Sequence, residues 1–205
     1  MTLTLNSDCA SVDADDGRDL ISRARSGDSE AFDALCRLHG DRLLRQAMML
    51  CGDSAAAEDL VQETLIQAWR SIGRYNGQCR VFTWLCSILI HRHRNSWRKK
   101  WPVPLSLLFG GAREEADAFL ANTADPGSTP DDMAESAEQA RQLLRSLEKL
   151  PAKQRAVVHL RFFAQDSLEG IAAALDCSVG TVKSRLFKGL ERLRKMKSLI
   201  QDQNL

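Results

Sequence analysis

The residues of this chain best suited to chemistry are donors to a polyanion. Thr181, Lys183, Ser184, Arg185 and Lys188 lie in one short run. Such side chains reach base edges, phosphates and the thymine methyl group. A second run sets Arg92, Arg94, Arg98, Lys99 and Lys100 beside Trp97 and Trp101. There, cations able to hold a strand alternate with rings on which a base can stack. Soft metal ligands form another candidate set: Cys36-x-x-His39 with Cys51, and Cys86 with His91-x-His93. Only Cys36-x-x-His39 has the spacing of ligands on one helix, and free cysteine is commonly a packing residue. The sequence therefore reads as holding no metal and needing no cofactor. It carries no glycine-rich phosphate loop, nucleophile elbow or paired carboxylates, which argues against an enzyme.

Charge supports the polyanion reading only when followed along the chain. The 205 residues have a formal net charge of +1, which by itself suggests no partner. Between Thr64 and Arg113 there is no Asp or Glu, while Arg70, Arg74, Arg80 and the Arg92 to Lys100 cluster supply positive charge. From Glu114 to Ala140 the sign inverts, and from Cys177 to Ile200 it inverts again, with Glu191 the single acid. Two basic blocks separated by an acidic stretch suggest one polyanion met at two places.

A composition of 44% hydrophobic and 27% charged residues is globular, and no apolar run is long enough for a spanning helix. The first residues are acidic, unlike a signal peptide, and the six cysteines form no C-x-x-C pair. These features predict a cytoplasmic chain with reduced thiols and no direct membrane insertion.

The elements that must carry the basic runs read as helices throughout. Asp28 is placed to cap a helix through Ala31, Phe32, Leu35 and Leu38, and Gly52-Asp53-Ser54 to stop one helix and cap the next. In that next helix Leu60, Val61, Thr64, Leu65, Ala68 and Trp69 form an inward stripe, opposite Asp59, Gln62, Glu63 and Gln67. Gly73 is expected to end it, Tyr75-Asn76-Gly77 to turn, and a last helix to run from about Arg80 to Lys100 with Val81, Trp84, Leu85, Ile88 and Leu89 inward. Ala124-Asp-Pro-Gly-Ser-Thr-Pro130 has a linker composition. Beyond it, Pro151 is expected in the first turn of a helix, Ser167 caps a short one over Leu168 to Leu175, and Asp176-Cys177-Ser178 breaks before a long basic helix from Val179. A short helix, a tight turn and a longer basic helix make a helix-turn-helix.

These residues resemble the extracytoplasmic-function group of bacterial RNA polymerase sigma factors. Ala57-Glu-Asp-Leu-Val-Gln-Glu-Thr-Leu-Ile-Gln-Ala-Trp-Arg70 is similar to that family's polymerase-binding region, and Phe82-Thr-Trp-Leu85 with its basic helix to the promoter-melting region. Leu150-Pro-Ala-Lys-Gln-Arg155, Ser167-Leu-Glu-Gly-Ile-Ala172 and Ser178-Val-Gly-Thr-Val-Lys-Ser-Arg-Leu186 resemble the C-terminal DNA-binding domain.

The resemblance implies an all-α chain: a flexible N-terminus (1–16), a region 2 domain (17–101), a flexible acidic linker (102–137), a region 4 helix-turn-helix domain (138–200) and a tail (201–205). It implies that Asp59, Gln62 and Glu63 bind the clamp helices of the polymerase's largest subunit, with a further contact to the second-subunit flap. Tyr75, Asn76, Arg80, Phe82, Arg94, Trp97, Arg98 and Lys99 would serve -10 recognition and melting. Thr181, Lys183, Ser184, Arg185, Phe187 and Lys188 would serve the -35 element, and an anti-sigma factor would be a further partner.

His91 and Asn95 depart from the Asn and Asp usual in the family. Asp176 replaces a turn glycine, a place an Asp can tolerate. Gly170 weakens the short helix by about 1 kcal/mol relative to Ala. The rival readings are a metal or redox sensor built on the Cys and His sets and a dimeric helix-turn-helix repressor.

Overall fold

The computed structural model describes the backbone of residues 16–99 and 142–202, and side chains over 19–95 and 142–196. Every regular element among them is helical. The first domain comprises α1 (Asp16–Arg25), α2 (Ser29–Cys51), α3 (Ser54–Ser71), a 3-10 turn (Ile72–Arg74) and α4 (Val81–Lys99). The second comprises a short helix α5 (142–148), α6 (Ala152–Phe162), α7 (Leu168–Ala174) and α8 (Val179–Asp202).

Local chemistry explains where these helices start and stop. Asp28 Oδ1 accepts from the Ala31 N–H at 3.1 Å, and its other oxygen pairs with Arg23 at 2.7 Å. Gly52, at φ 69, turns the chain left-handed and donates its N–H to Met48 O at 2.8 Å. Asp53 then caps α3 through the Ala56 N–H at 2.7 Å, so the expected Gly-Asp-Ser boundary forms. The end of α3 differs from the expectation: it stops at Ser71, whose hydroxyl donates back to Gln67 O at 2.7 Å, and Gly73 lies within the 3-10 turn. Pro151 stands just before α6 rather than in its first turn. In the second domain the Ser167 hydroxyl caps α7 through the Gly170 N–H at 2.9 Å, and Asp176 at φ 49 makes the left-handed turn.

The inward stripe of α3 is narrower than its sequence suggests. Ala57, Leu60, Thr64 and Ala68 are buried, with the Thr64 hydroxyl satisfied by Leu60 O at 2.7 Å, whereas Trp69 is 38% exposed and leans on Phe32 with ring centroids 5.0 Å apart. The core of the first domain, including Leu43, Leu85 and Leu89, runs on without a break into Val157, Leu160, Ile171 and Val182 of the second. Helix α4 makes that bridge by packing on both α6 and α7. A second apolar cluster around Leu147, Leu150 and Val158 ties α5 and α6 to Leu186, Leu193 and Met196 of α8. Gly189 lets α8 approach α6 closely, since a methyl group there would stand 3.0 Å from Val158.

Candidate functional site

Three surfaces carry the expected site residues. On α3, Asp59, Gln62 and Glu63 are all exposed on one face. Glu63 is engaged by Arg92 at 3.1 Å, which ties that face to α4. Ile66, 52% exposed, extends it. The sequence stripe did not single out Ile66; its position between the polar face and the core is what places an apolar side chain in water. No apolar residue gains from that position unless something covers it.

The second surface is the loop between the 3-10 turn and α4, with the first and last turns of that helix. Asn76 and Arg80 are exposed, and Asn76 Oδ1 accepts from the Gln78 N–H at 3.1 Å, with Gly77 at φ 74 completing the bend. Tyr75 and Phe82, of the same expected set, are buried instead. They are 8% and 4% exposed. The Tyr75 hydroxyl donates to Cys79 O and its ring lies 5.2 Å from Trp84, while Phe82 sits under the Arg42 guanidinium at 4.1 Å and beside His39. Both rings are held as the floor of the loop because burying an aromatic side chain is worth more than leaving it in water. In this arrangement they shape the loop rather than present a face to a base. Arg94 is exposed and Asn95 contacts His91 at 3.3 Å. Trp97, Arg98 and Lys99 lie on the last turns of α4, outside the described side chains, and Lys100 and Trp101 lie outside the described residues.

The third surface is the outer face of α8. Val182 and Gly189 are buried and Leu186 is half-buried, leaving Lys183, Ser184, Phe187 and Lys188 exposed together, with Phe187 at 69%. Two members of the expected set are placed differently. The Thr181 hydroxyl is shared with Ser178 at 2.9 Å in the helix cap, and Arg185 is half-buried with its guanidinium 3.7 Å from Cys177 Sγ.

Between the domains lies a cleft of about 700 Å³, walled by Arg92 and Arg94 of α4 on one side and Lys153, Arg155 and Arg185 on the other. His93 and His159 meet at its base, both buried. Burial, with the Arg155 guanidinium nearby, pushes each imidazole down to about 4, so both are neutral at neutral pH. Sequence reading did not connect His93 with Arg155 and His159, which share one turn of α6 and meet His93 only through packing. Cys36, Cys79 and Cys86 behave as packing groups: burial raises the Cys86 thiol to about 12 and those of Cys36 and Cys79 to about 11. Among the described residues no cluster of His, Cys, Asp and Glu is arranged to hold a metal ion.

Two family matches cover the two domains: Sigma-70 region 2 over residues 35–103 and Sigma-70, region 4 over residues 146–195. The chain is similar to the ECF RNA polymerase sigma-E factor of Escherichia coli, with 30% identity over 191 residues covering 89% of this chain and 95% of the relative. It is also similar to the ECF RNA polymerase sigma factor SigW of Bacillus subtilis, with 30% identity over 85% of this chain and 93% of the relative. In fold it is similar to the sigma factor RpoE of Bartonella quintana, solved in complex with the anti-sigma factor NepR, at a TM-score of 0.54 and 24% identity, covering 82% of this chain and 96% of that one. With an exposed acidic and amide face on one helical domain, a basic helix-turn-helix on the other, and both domains matched in order along the chain, the protein belongs to the extracytoplasmic-function sigma factors, which bind core RNA polymerase and direct promoter-specific transcription initiation.

Proposed function

We propose that the three surfaces divide that work among named residues. The α3 face formed by Asp59, Gln62, Glu63 and Ile66 docks on the clamp helices of the largest polymerase subunit. What supports this is the coexistence on one helix face of exposed polar groups and an exposed apolar side chain, the composition of a docking surface. Exposed Leu143 and Phe162 suit the second-subunit flap in the same way.

Lys183, Ser184, Phe187 and Lys188 enter the major groove at the -35 element. Lysine donates to guanine, serine to either kind of base, and Phe187 packs on a thymine methyl. Arg185, half-buried, suits a backbone phosphate once the cleft it lines is open. At the -10 element Asn76, Arg80 and Arg94, with Trp97, Arg98 and Lys99 beyond, hold the displaced strand on a loop floored by Tyr75 and Phe82.

The chain acts as an initiation factor rather than an enzyme, in the cytoplasm where polymerase is; among the described residues no helix is long and apolar enough to cross a membrane. An anti-sigma factor controls it, as one binds the Bartonella quintana protein of similar fold.

The observation that carries this reading is the exposed α3 face, and its test is affinity for core polymerase. Replacing Gln62 with Ala and Glu63 with Lys is expected to weaken core binding at least tenfold while the helical signal and melting temperature stay near wild type. Unchanged affinity would remove the assignment.

A further inference from the structure

Asp166 joins the two domains through a single carboxylate. It is 5% exposed. Its Oδ1 accepts from the Ser167 N–H at 2.7 Å within the second domain, and its Oδ2 accepts from the Arg80 N–H at 3.1 Å, where α4 begins. Arg80 ends the loop assigned above to the -10 strand. The backbone before Asp166 is held in place for this contact: Gln165 takes φ 55, and Arg161 Nη1 donates to Asp166 O at 2.7 Å. Gly170 supplies the space. A methyl group built there would stand 2.5 Å from Asp166 Oδ1 and 2.8 Å from Oδ2, so any larger residue drives the carboxylate off its two N–H donors. A glycine costly to the short helix is thus required by the contact between domains.

We propose that this carboxylate clasp holds the free chain in a closed form unable to engage a promoter, and that Arg80 is released from Asp166 when the chain loads onto polymerase. The consequence for DNA rests on the assignment of the -10 and -35 contact residues above; the clasp itself does not. Elements about 25 base pairs apart are separated by about 85 Å of duplex at 3.4 Å per step. In the closed chain Arg94 of the first set and Arg185 of the second line one cleft of about 700 Å³. A chain gripping both elements must therefore part its domains, which breaks the Arg80 to Asp166 bond. If only the open fraction binds, apparent affinity falls by that fraction.

The test is hydrogen exchange at the Arg80 amide in the full-length chain, compared among wild type, Gly170→Ala and Asp166→Asn. The asparagine keeps the shape and can still accept from Ser167, but turns a donor toward the Arg80 N–H, so it breaks the clasp without emptying the site. Arg80 should be protected in free wild type. Exchange should be at least tenfold faster in both variants and in wild type bound to core polymerase, while amides within α2 and α6 keep their protection. Both variants should also bind a fluorescent oligo(dT) strand on the order of tenfold more tightly than wild type. An unprotected Arg80 amide in free wild type, or one that stays protected in the variants or in the holoenzyme, overturns the clasp. Equal oligo(dT) affinity with Arg80 exposed overturns the restraint on DNA. Failure of all three proteins to hold oligo(dT), in the face of altered exchange, counts against the strand-binding assignment and leaves the clasp standing.

Discussion

At the scale of single residues, exposure separates side chains free to read DNA from those that build the reader. Lys188 and Ser184 project from α8 beside the buried Val182, so their loss removes contacts without disturbing the core. Lys188→Ala or Ser184→Ala is expected to cost about 1 to 3 kcal/mol at the preferred -35 sequence and to relax discrimination there, measured by competition binding of holoenzyme to promoter variants. Asp53 is the opposite kind of residue, since its Oδ1 satisfies the Ala56 N–H at 2.7 Å at the start of α3. Asp53→Ala should lower stability in urea unfolding by about 1 kcal/mol while leaving the exposed docking face chemically intact. The same contrast explains Tyr75 and Phe82: their type matches a strand-stacking role, but their burial assigns them to the loop's foundation.

At the scale of elements, α4 is the member on which everything converges, packing on α2 and α3 behind it and on α6 and α7 in front. His93 of α4 and His159 of α6 meet there, buried, with the charge of Arg155 against both and a hydrogen bond to the Leu50 backbone favouring protonated His93. Their values near 4 lie below the usual 6.5 of an unfolded histidine. Between those values the unfolded chain binds more protons than the folded one, so stability is full above about 6.5 and is lost as the pH falls toward 4. Going from pH 7 to pH 5 should cost about 2 kcal/mol per histidine. Urea unfolding at the two pH values checks this, and replacing either histidine with glutamine should flatten the dependence. A pH-independent midpoint between 5 and 7 in the wild type would show that the pair is not buried in solution.

At the scale of the whole molecule, Arg92 and Arg94 of the first domain share one cleft with Lys153, Arg155 and Arg185 of the second, so like charges there oppose the closed arrangement that the shared core and the Asp166 contact favour. Salt screens that repulsion, with the Debye length shrinking from about 10 Å at 0.1 M to about 3 Å at 1 M. The radius of gyration of the free chain in solution scattering should therefore fall, not rise, as salt is added. In transcription the two domains should also fail differently. Neutralising Arg94, Arg98 and Lys99 should weaken open-complex formation on duplex promoters of every sequence and be rescued by pre-melted templates, whereas Lys188→Ala should be rescued much less; permanganate footprinting with run-off transcription separates the two.

The sequence by itself determined the helices, their caps and the two basic surfaces, because each rests on contacts between near neighbours. The Asp28, Asp53 and Ser167 caps, the left-handed turns at Gly52 and Asp176, and the exposed Lys183, Ser184 and Lys188 are all set within a few residues. The exact end of α3 escaped it, since Ser71 and the 3-10 turn compete locally with a stop at Gly73 on nearly equal terms. The tertiary structure alone decided that Trp69 stays partly in water and that Phe82 does not. It alone decided that Arg80 and Asp166, or His93 and His159, meet at all. The reason is geometric: periodicity says which face of a helix is apolar, while the partner of that face is chosen by the packing of elements distant in the chain.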